Sequence, residues 1–256
     1  MCEVIIAGGG KFGLKAIDFI KKNNFKTVLI DSNPNCFAAE FASKKFDNLE
    51  DFNLNLKDLK DGEIFFLNKD ILIVLDLIEK LNPTYIIPVV PIHLMASFIS
   101  SFLLRFSINL TPNNNLTKNL LENIDPELLL NQMNEEGVIY LSYAKIDEIC
   151  PDNCSGPISY CPNFKREKPR TITQYLKSYF RTSNSVNIRK EEISEIIIIN
   201  ESYQLMPGLG GLNGNDIQNI LKILRDNMDF LSHQKIDMTI ATTCNCHGVI
   251  NFYKNY

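Results

Sequence analysis

Val4-Ile-Ile-Ala-Gly-Gly-Gly-Lys-Phe-Gly13 is a short apolar run that is followed at once by closely spaced glycines. Lys11–Asn23 continues with apolar residues at helical spacing, and Thr27–Ile30 is a second apolar run that ends at Asp31. This order predicts a strand, a tight turn, a helix and a second strand, which together form a βαβ unit.

Three glycines of this stretch, Gly8, Gly10 and Gly13, fit the pattern G-x-G-x-x-G between a predicted strand and a predicted helix. The first permits a tight turn, the second lets a pyrophosphate approach the backbone, and the third lets the helix pack closely on the strand. Asp31 ends the second strand, where an acid binds a ribose hydroxyl and favours NAD over NADP. The predicted NAD(H) contacts are Gly8, Gly10, Lys11, Phe12, Gly13 and Asp31. Alternatively, the turn is degenerate or binds another adenosine ligand, such as S-adenosylmethionine or AMP.

Strand and helix patterns continue to alternate, as Phe65–Leu67, Ile71–Leu81, Tyr85–Val90 and Leu94–Phe106. Such alternation predicts a parallel sheet with right-handed crossovers. Asn109–Asn115 contains Pro112 and a run of asparagines, a composition shift that predicts a domain boundary. The expected fold is therefore α/β, with a Rossmann-like parallel-sheet domain over residues 1–112. A smaller α/β domain with a cysteine-rich loop follows over residues 113–256.

The second domain has its own apolar pattern. The predicted helices are Pro126–Met133, Thr171–Tyr179 and Asp216–Arg225, and the predicted strands are Val138–Tyr143, Glu195–Ile199 and Met238–Thr242. Pro207–Gly214 is a second glycine-rich stretch, which is interpreted either as an anion-binding loop ahead of a helix or as a flexible connection.

The quoted stretch, together with Val28-Leu-Ile-Asp31, resembles the NAD-binding domains of Trk-type potassium-uptake regulators, also called RCK domains. The resemblance covers about the first hundred residues. It implies contact of Gly8, Gly10, Gly13 and Asp31 with NAD(H) or an adenine nucleotide, and regulation of a membrane pore. The chain after residue 115 does not resemble the ligand-sensing domain of that family. Its cysteine pattern resembles that of an uncharacterised prokaryotic family.

Seven cysteines are present, and five of them fall in two tight groups near the ends of predicted strands. The candidate metal ligands are Cys150, Cys154, Cys161, Cys244, Cys246 and His247. If the two preceding strands run parallel in one sheet, both groups open at the same edge, where α/β sheets place ligands. Clustered thiolates select zinc, iron–sulfur clusters or Cu(I) over hard cations.

Three interpretations of the cysteine groups stay open at this point. The first is a structural zinc site with four ligands. The second is an iron–sulfur cluster, which is favoured by the prolines that follow Cys150 and Cys161. The third is a set of reduced or redox-exchanging thiols without a metal. The C-x3-C-x6-C spacing departs from common zinc-finger and ferredoxin patterns, so it does not indicate which metal would bind.

The composition is that of an ordinary globular protein, with 45% hydrophobic and 22% charged residues. The net charge of -4 argues against a nucleic-acid partner, which usually binds a basic face. Apolar runs are shorter than the roughly 18 residues of a bilayer span, so no membrane insertion is expected. Val4–Ala7 is followed by glycines rather than by the apolar core of a signal peptide, so a cytoplasmic location is expected.

Two further features have weaker functional interpretations. His93 follows the strand at Tyr85–Val90 and is interpreted as a proton donor or as an ordinary helix-start residue. The basic stretch with Lys165, Arg166, Lys168 and Arg170 is interpreted as a phosphate or acidic-partner site, or as a solvated loop. Motifs of the common hydrolases and kinases are absent.

Two functions are compatible with these features. The first is an NAD(H)-binding protein with a cysteine-coordinated metal centre, iron–sulfur or zinc, that transfers electrons or hydride to a redox partner. The second is an RCK-like nucleotide-sensing regulator with structural zinc, no catalysis and a membrane-transport partner. A vestigial nucleotide unit on a metal-delivery or scaffold protein is a further alternative. Whether the protein is an enzyme stays open, and a homodimer is compatible with either function.

Overall fold

The structure is a computed structural model that describes residues 2–256. The strands are β1 (Val4–Ala7), β2 (Thr27–Asp31), β3 (Lys44–Phe46), β4 (Ile64–Asn68), β5 (Tyr85–Pro88), β6 (Thr111–Pro112), β7 (Leu129–Met133), β8 (Val138–Ser142), β9 (Tyr160–Cys161), β10 (Arg166–Glu167), β11 (Val186–Arg189), β12 (Ile193–Met206), β13 (Leu209–Asn213), β14 (Lys235–Thr243) and β15 (His247–Lys254). The helices are α1 (Lys11–Asn23), α2 (Leu49–Asn55), α3 (Val74–Leu81), α4 (Leu94–Leu104), α5 (Asn114–Asn123), α6 (Ile172–Tyr179), α7 (Gly214–Asp226) and α8 (Met228–Leu231). The prediction of an α/β protein is confirmed.

Contacts divide the chain into two compact units, and the first unit comprises the chain up to Leu94 together with Leu209–Gln218. Its strands lie in the order β3-β4-β2-β1-β5-β13. The first five strands pair in parallel, and β13 pairs antiparallel with β5. The residues of β1 are all buried, as expected for a strand that is covered on both faces.

Helix α1 connects β1 to β2 and is amphipathic. Its buried side includes Ala16, Ile17 and Ile20, whereas Lys21 and Lys22 lie in the last turn, where positive charge is favourable. Asn24 ends the helix in the left-handed conformation, with φ of 60°. The turn between Ala7 and Lys11, the first residue of α1, therefore lies at the carboxyl end of β1.

The second unit comprises Met95–Gly208 and Asn219–Tyr256 and is the larger of the two. Its strands pair in both directions: β12 is parallel to β14, whereas β14, β15, β8 and β7 follow in antiparallel order. The expectation that the second domain is the smaller one is therefore not met by this unit. The boundary predicted after residue 112 stays a prediction.

One face of the sheet in the second unit packs against α5 and α6. The buried residues of this core include Leu120, Ile139, Leu141, Ile172, Leu176, Ile197, Ile199, Ala241, Ile250 and Phe252. Within each strand they alternate with residues of the other face, which is the period of a β-strand. Thr171 begins α6 with a capping box, because its side chain accepts from the Gln174 N–H and the Gln174 side chain accepts from the Thr171 N–H.

Strand direction places two loops of the second unit at one edge of the sheet. Both β8 and β14 are antiparallel to β15, which lies between them, so β8 and β14 run in the same direction. The loop that follows β8 and the turn that follows β14 therefore open at the same edge. These two connections carry the two cysteine groups.

Three predicted segments differ from the structure. The predicted helix Pro126–Met133 is wrong, because a single 3-10 turn at Pro126–Leu128 leads directly into β7, which pairs with β8. The predicted glycine-rich loop Pro207–Gly214 is mostly strand β13. Asn109–Asn115 contains β6 and the start of α5, and the buried Asn113 caps that helix by accepting from the Leu116 N–H.

In the described part of the chain, no helix has the length and apolarity needed to cross a membrane.

Candidate functional site

The glycine turn after β1 has a backbone that only glycine adopts without strain. Gly8 has φ of +108°, and a Cβ built at this position would lie 2.8 Å from the carbonyl oxygen of Val89. The Gly8 N–H donates to the carbonyl oxygen of Ile30 at 2.9 Å, which ties the turn to the end of β2. The turn therefore passes between the carboxyl ends of β2 and β5.

The other two glycines of the pattern differ in their surroundings. A Cβ at Gly13 would lie 3.1 Å from the carbonyl oxygen of Gly8 and 3.3 Å from Cβ of Ala38, so a side chain would push α1 away from the turn. A Cβ at Gly10 would meet no atom within 4 Å. Open space therefore lies in front of the first turn of α1, where the exposed residues Lys11 and Phe12 also lie.

Asp31 lies at the end of β2, where its carboxylate contacts the glycine turn. Its Oδ2 accepts from the Gly9 N–H at 2.6 Å, and its Oδ1 accepts from the Asn33 N–H at 2.7 Å. Its backbone oxygen accepts from Nδ2 of Asn68 at 2.9 Å. These bonds hold the carboxylate in place, and each of its oxygens keeps a lone pair for a further donor such as a hydroxyl.

Exposed apolar side chains follow three neighbouring strands of the first unit. Phe12 follows β1 and is 48% exposed, Phe37 follows β2 and is 63% exposed, and Ile92 follows β5 and is 49% exposed. Sequence reasoning missed Phe37, although an aromatic residue shortly after the acid of β2 was a usable signal. His93 lies half-buried in the loop after β5.

The candidate metal ligands of the second unit lie in two connections. Cys244 and Cys246 lie in the turn between β14 and β15, and His247 is the first residue of β15, whereas Cys150 and Cys154 lie in the loop after β8. The sixth residue, Cys161, ends the short strand β9 and is buried.

The imidazole of His247 lies between thiols of both groups. Its Nε2 lies 3.7 Å from Sγ of Cys150, and its Nδ1 lies 3.9 Å from Sγ of Cys244. The side-chain amide of Asn245 donates to the carbonyl oxygen of Gly156 at 2.8 Å and joins the two connections directly. Among residues 2–256, however, no three His, Cys, Asp or Glu side chains form a group that could hold a metal ion as they stand.

Backbone N–H groups point at two of the sulfur atoms. The N–H of Gly156 lies 3.4 Å from Sγ of Cys154. The N–H groups of Cys246 and His247 lie 3.5 and 3.4 Å from Sγ of Cys244. These contacts hold the side chains of Cys154 and Cys244 in place.

Lys168 is buried within the basic stretch, so the interpretation of the whole stretch as a solvated loop is wrong. Its side chain is bonded to the carbonyl oxygen of Pro157, and its Nζ lies 2.9 Å from Sγ of Cys246. Sequence reasoning missed this contact, because a lysine in a polar loop gives no signal of burial.

Arg166, in the same stretch, supports the loop that follows β8. Its guanidinium group donates to both carboxylate oxygens of Glu148, at 2.8 and 2.9 Å, and also to the carbonyl oxygen of Tyr143. The hydroxyl of Tyr143 donates to the carbonyl oxygen of Arg170 at 2.6 Å. The arginine thereby fixes the segment just before Cys150.

The surroundings shift the pKa values of three candidate ligands. Burial raises the pKa of Cys246, and the bonded Lys168 ammonium opposes that effect. Partial burial and the neighbouring thiols raise the pKa of Cys150. Partial burial of the ring and the positive charge of Lys168 lower the pKa of His247, and the lower pKa favours the neutral imidazole. A neutral imidazole is the form that binds metals.

Comparison with known proteins identifies a family. Residues 95–255 match a family model described as "Uncharacterized protein, C-terminal domain" (AF_1314_C), and residues 3–94 match its counterpart described as "Uncharacterized protein, N-terminal domain". Because the first match covers more than half of the chain, the chain belongs to this family. A protein of Archaeoglobus fulgidus named "Uncharacterized protein" is 29% identical over 251 residues, which is 98% of each chain. No solved structure matches.

The resemblance to RCK domains of Trk-type regulators is wrong, because the matched models are those of the AF_1314 family and no RCK or Trk family was detected. The resemblance depended on a glycine turn and an acid after the second strand. Many nucleotide-binding sheets use these few residues, so they do not distinguish one family from another.

Proposed function

We propose that the second unit of this AF_1314 family member binds a metal ion through thiolates of its two cysteine groups and the imidazole of His247. The single observation that supports this proposal is the convergence of the groups, with Cys150 and Cys244 on opposite sides of His247. These two cysteines are far apart in the chain, and their loops meet because β8 and β14 run in the same direction.

The spacing of these side chains favours a single ion over a cluster. Ligand atoms around a tetrahedral zinc lie about 3.5 to 3.8 Å apart, given Zn–S and Zn–N bonds of about 2.3 and 2.0 Å. The Cys150 pair, at 3.7 Å, is close to this spacing, whereas the 3.9 Å pair with Cys244 uses the other ring nitrogen, so only one of the two pairs can belong to the same ion. His247 would bind through one nitrogen only, and further thiols would approach as the two connections close around the ion. We therefore propose zinc as the metal, with an iron–sulfur cluster as the alternative that the test distinguishes.

The environment of the sulfurs also supports metal binding. Backbone N–H groups are directed at Sγ of Cys154 and Sγ of Cys244 and hold these two side chains in place. Such donors also orient ligands around a metal.

Metal analysis of cysteine variants tests this proposal. Cys154→Ser and Cys244→Ser are each expected to lose the bound metal, whereas Ser155→Ala, an exposed change in the same loop, is expected to keep it. Zinc without visible absorbance would support a single-ion site. Iron with acid-labile sulfide would instead indicate an iron–sulfur cluster. Retention of the metal in both cysteine variants would contradict the proposal.

A second candidate function is favoured by the glycine turn, and it belongs to the first unit. We propose that this unit is Rossmann-like and binds NAD(H) in front of the first turn of α1. Three observations support the proposal: the parallel order β4-β2-β1-β5, the open space at Gly10 and the fixed carboxylate of Asp31. A nucleotide at this position would meet the exposed rings of Phe12 and Phe37.

Titration with NADH, followed by its fluorescence, tests the second candidate. Gly10→Val places a side chain in the space that the pyrophosphate needs and is expected to abolish binding. Asp18→Ala changes an exposed residue of the same helix and is expected to leave binding unchanged. If the metal is redox-active, binding of both groups would support electron or hydride transfer. If AMP binds but NADH does not, the site is one for another adenosine ligand.

A further inference from the structure

Lys168 is a lysine removed from solvent inside the cysteine loops. Its side chain is 2% exposed, whereas lysines are almost never fully buried without a charged partner. Its N–H donates to the carbonyl oxygen of Ser159 at 2.7 Å, so its backbone is also fixed. Such burial excludes the interpretation of Lys168 as a site for a phosphate from solution.

The polar contacts of this ammonium group come from both cysteine connections. The carbonyl of Pro157 belongs to the loop between Cys154 and Cys161, and the thiol of Cys246 belongs to the turn between β14 and β15. In the described part of the chain, these two groups are its hydrogen-bond partners, and no carboxylate forms an ion pair with it. A buried lysine side chain without a carboxylate partner is costly, and the Cys246 sulfur, 2.9 Å from Nζ, is the contact that a metal-bound thiolate would turn into a compensating one.

We infer that Lys168 is the positioning residue of the cysteine centre: it holds Cys246 against the Cys154 loop and offsets the negative charge of the metal-bound thiolates. The inference rests on the metal site proposed above. Zinc with three thiolates and one imidazole carries a net charge of about -1, and zinc with four thiolates carries about -2. A cation 2.9 Å from one sulfur reduces the repulsion among these ligands.

Cobalt titration of metal-free protein, followed by the sulfur-to-cobalt absorption band, tests the inference. Groups that support metal ligands typically change metal affinity about 10- to 100-fold. Lys168→Met is therefore expected to weaken Co²⁺ binding about 10-fold or more and to alter the band, because Cys246 is no longer held. Lys118→Met removes an exposed lysine from α5 in the same unit and is expected to match wild type in both respects.

A double-mutant cycle separates the proposed role from general destabilisation. In the Cys246→Ser background, Lys168→Met is expected to have little further effect on Co²⁺ affinity, because its partner is already absent. Equal losses in both backgrounds would overturn the inference. Lys168→Arg keeps the positive charge, and its Co²⁺ affinity is expected to stay within about threefold of wild type. This change is much smaller than the one that follows the loss of a group that supports a metal ligand.

The remaining outcomes are also decisive. Wild-type affinity and an unchanged band in Lys168→Met would overturn the inference and leave the proposed metal site intact. Absence of Co²⁺ and Zn²⁺ binding in the wild-type protein would overturn both. Circular dichroism shows whether Lys168→Met folds. If it does not fold, the Lys168→Arg variant is used instead. A folded arginine variant that binds Co²⁺ at least 10-fold more weakly than wild type would overturn the inference.

Discussion

Individual residues of the first unit show how local backbone geometry fixes a site. Gly8 was predicted to permit a tight turn, and its φ of +108° together with the nearby Val89 carbonyl gives the physical reason. Gly10 was predicted to give access to a pyrophosphate, and the space around it is open. The first glycine is therefore required by the fold, whereas the second is required only if a ligand binds.

This difference gives a stability prediction. Gly8→Ala is expected to lower the free energy of unfolding by about 2 kcal/mol or more, because it combines a strained φ with a contact to the Val89 oxygen. Gly10 has an ordinary φ of -71°, so Gly10→Ala is expected to change the free energy of unfolding by less than about 1 kcal/mol. Urea unfolding of both variants measures the two values, and a Gly10→Ala cost as large as that of Gly8→Ala would contradict this account.

Cys2 gives a prediction about pH. Burial raises the pKa of its thiol from 9.0 to about 12. Because the folded protein then holds the proton more tightly than the unfolded chain, this contribution to stability is fully present below pH 9 and is lost as the pH rises from 9 to 12.

Cys2→Ala removes the titrating group and tests this prediction by urea unfolding between pH 8 and pH 11. Above pH 9 the wild-type protein is expected to lose up to about 1.4 kcal/mol per pH unit more than the variant. Below pH 9 the two unfolding free energies are expected to differ by a constant amount. A constant difference over the whole range would show that Cys2 does not titrate in this way.

At the scale of elements, helices and strands with a strong apolar pattern were predicted correctly, whereas a segment with an ambiguous pattern was not. The parallel strands β1, β2 and β4 were found because they are continuous apolar runs, and the helix α1 was found because its buried residues recur at helical spacing. Pro126–Met133 has leucines that suit a helix or a strand, and pairing of β7 with β8 decides between them. Only tertiary structure supplies that partner, so sequence could not.

Helix α6 supports the cysteine edge and gives a prediction at this scale. Thr173 of α6 lies 2.9 Å from Thr243, hydroxyl to hydroxyl, directly before Cys244. Thr171→Ala breaks the capping box and is expected to cost about 1 kcal/mol of stability, which thermal unfolding measures. Ser178→Ala, an exposed change near the other end of α6, is the control and is expected to be neutral. An unaffected melting temperature in Thr171→Ala would show that the cap is not needed.

At the scale of the whole molecule, each unit contains one candidate site, and the two sites are formed in different ways. In the first unit, the site follows from a local motif, so sequence located all of its backbone part. In the second unit, the cysteines were located in sequence, and their convergence depended on a strand direction that sequence left conditional. Lys168 was singled out only as part of a basic stretch, and its burial could not be predicted, because it results from contacts with Pro157 and with Cys246, which is distant in the chain.

Metal binding by the second unit is tested by the metal content of wild-type protein purified without oxygen. We expect about one equivalent of zinc per chain, which a chelator removes and added zinc restores, with a rise in thermal stability on restoration. Protein that contains no metal, takes up neither zinc nor cobalt, and has the same thermal stability with and without these ions would contradict this expectation.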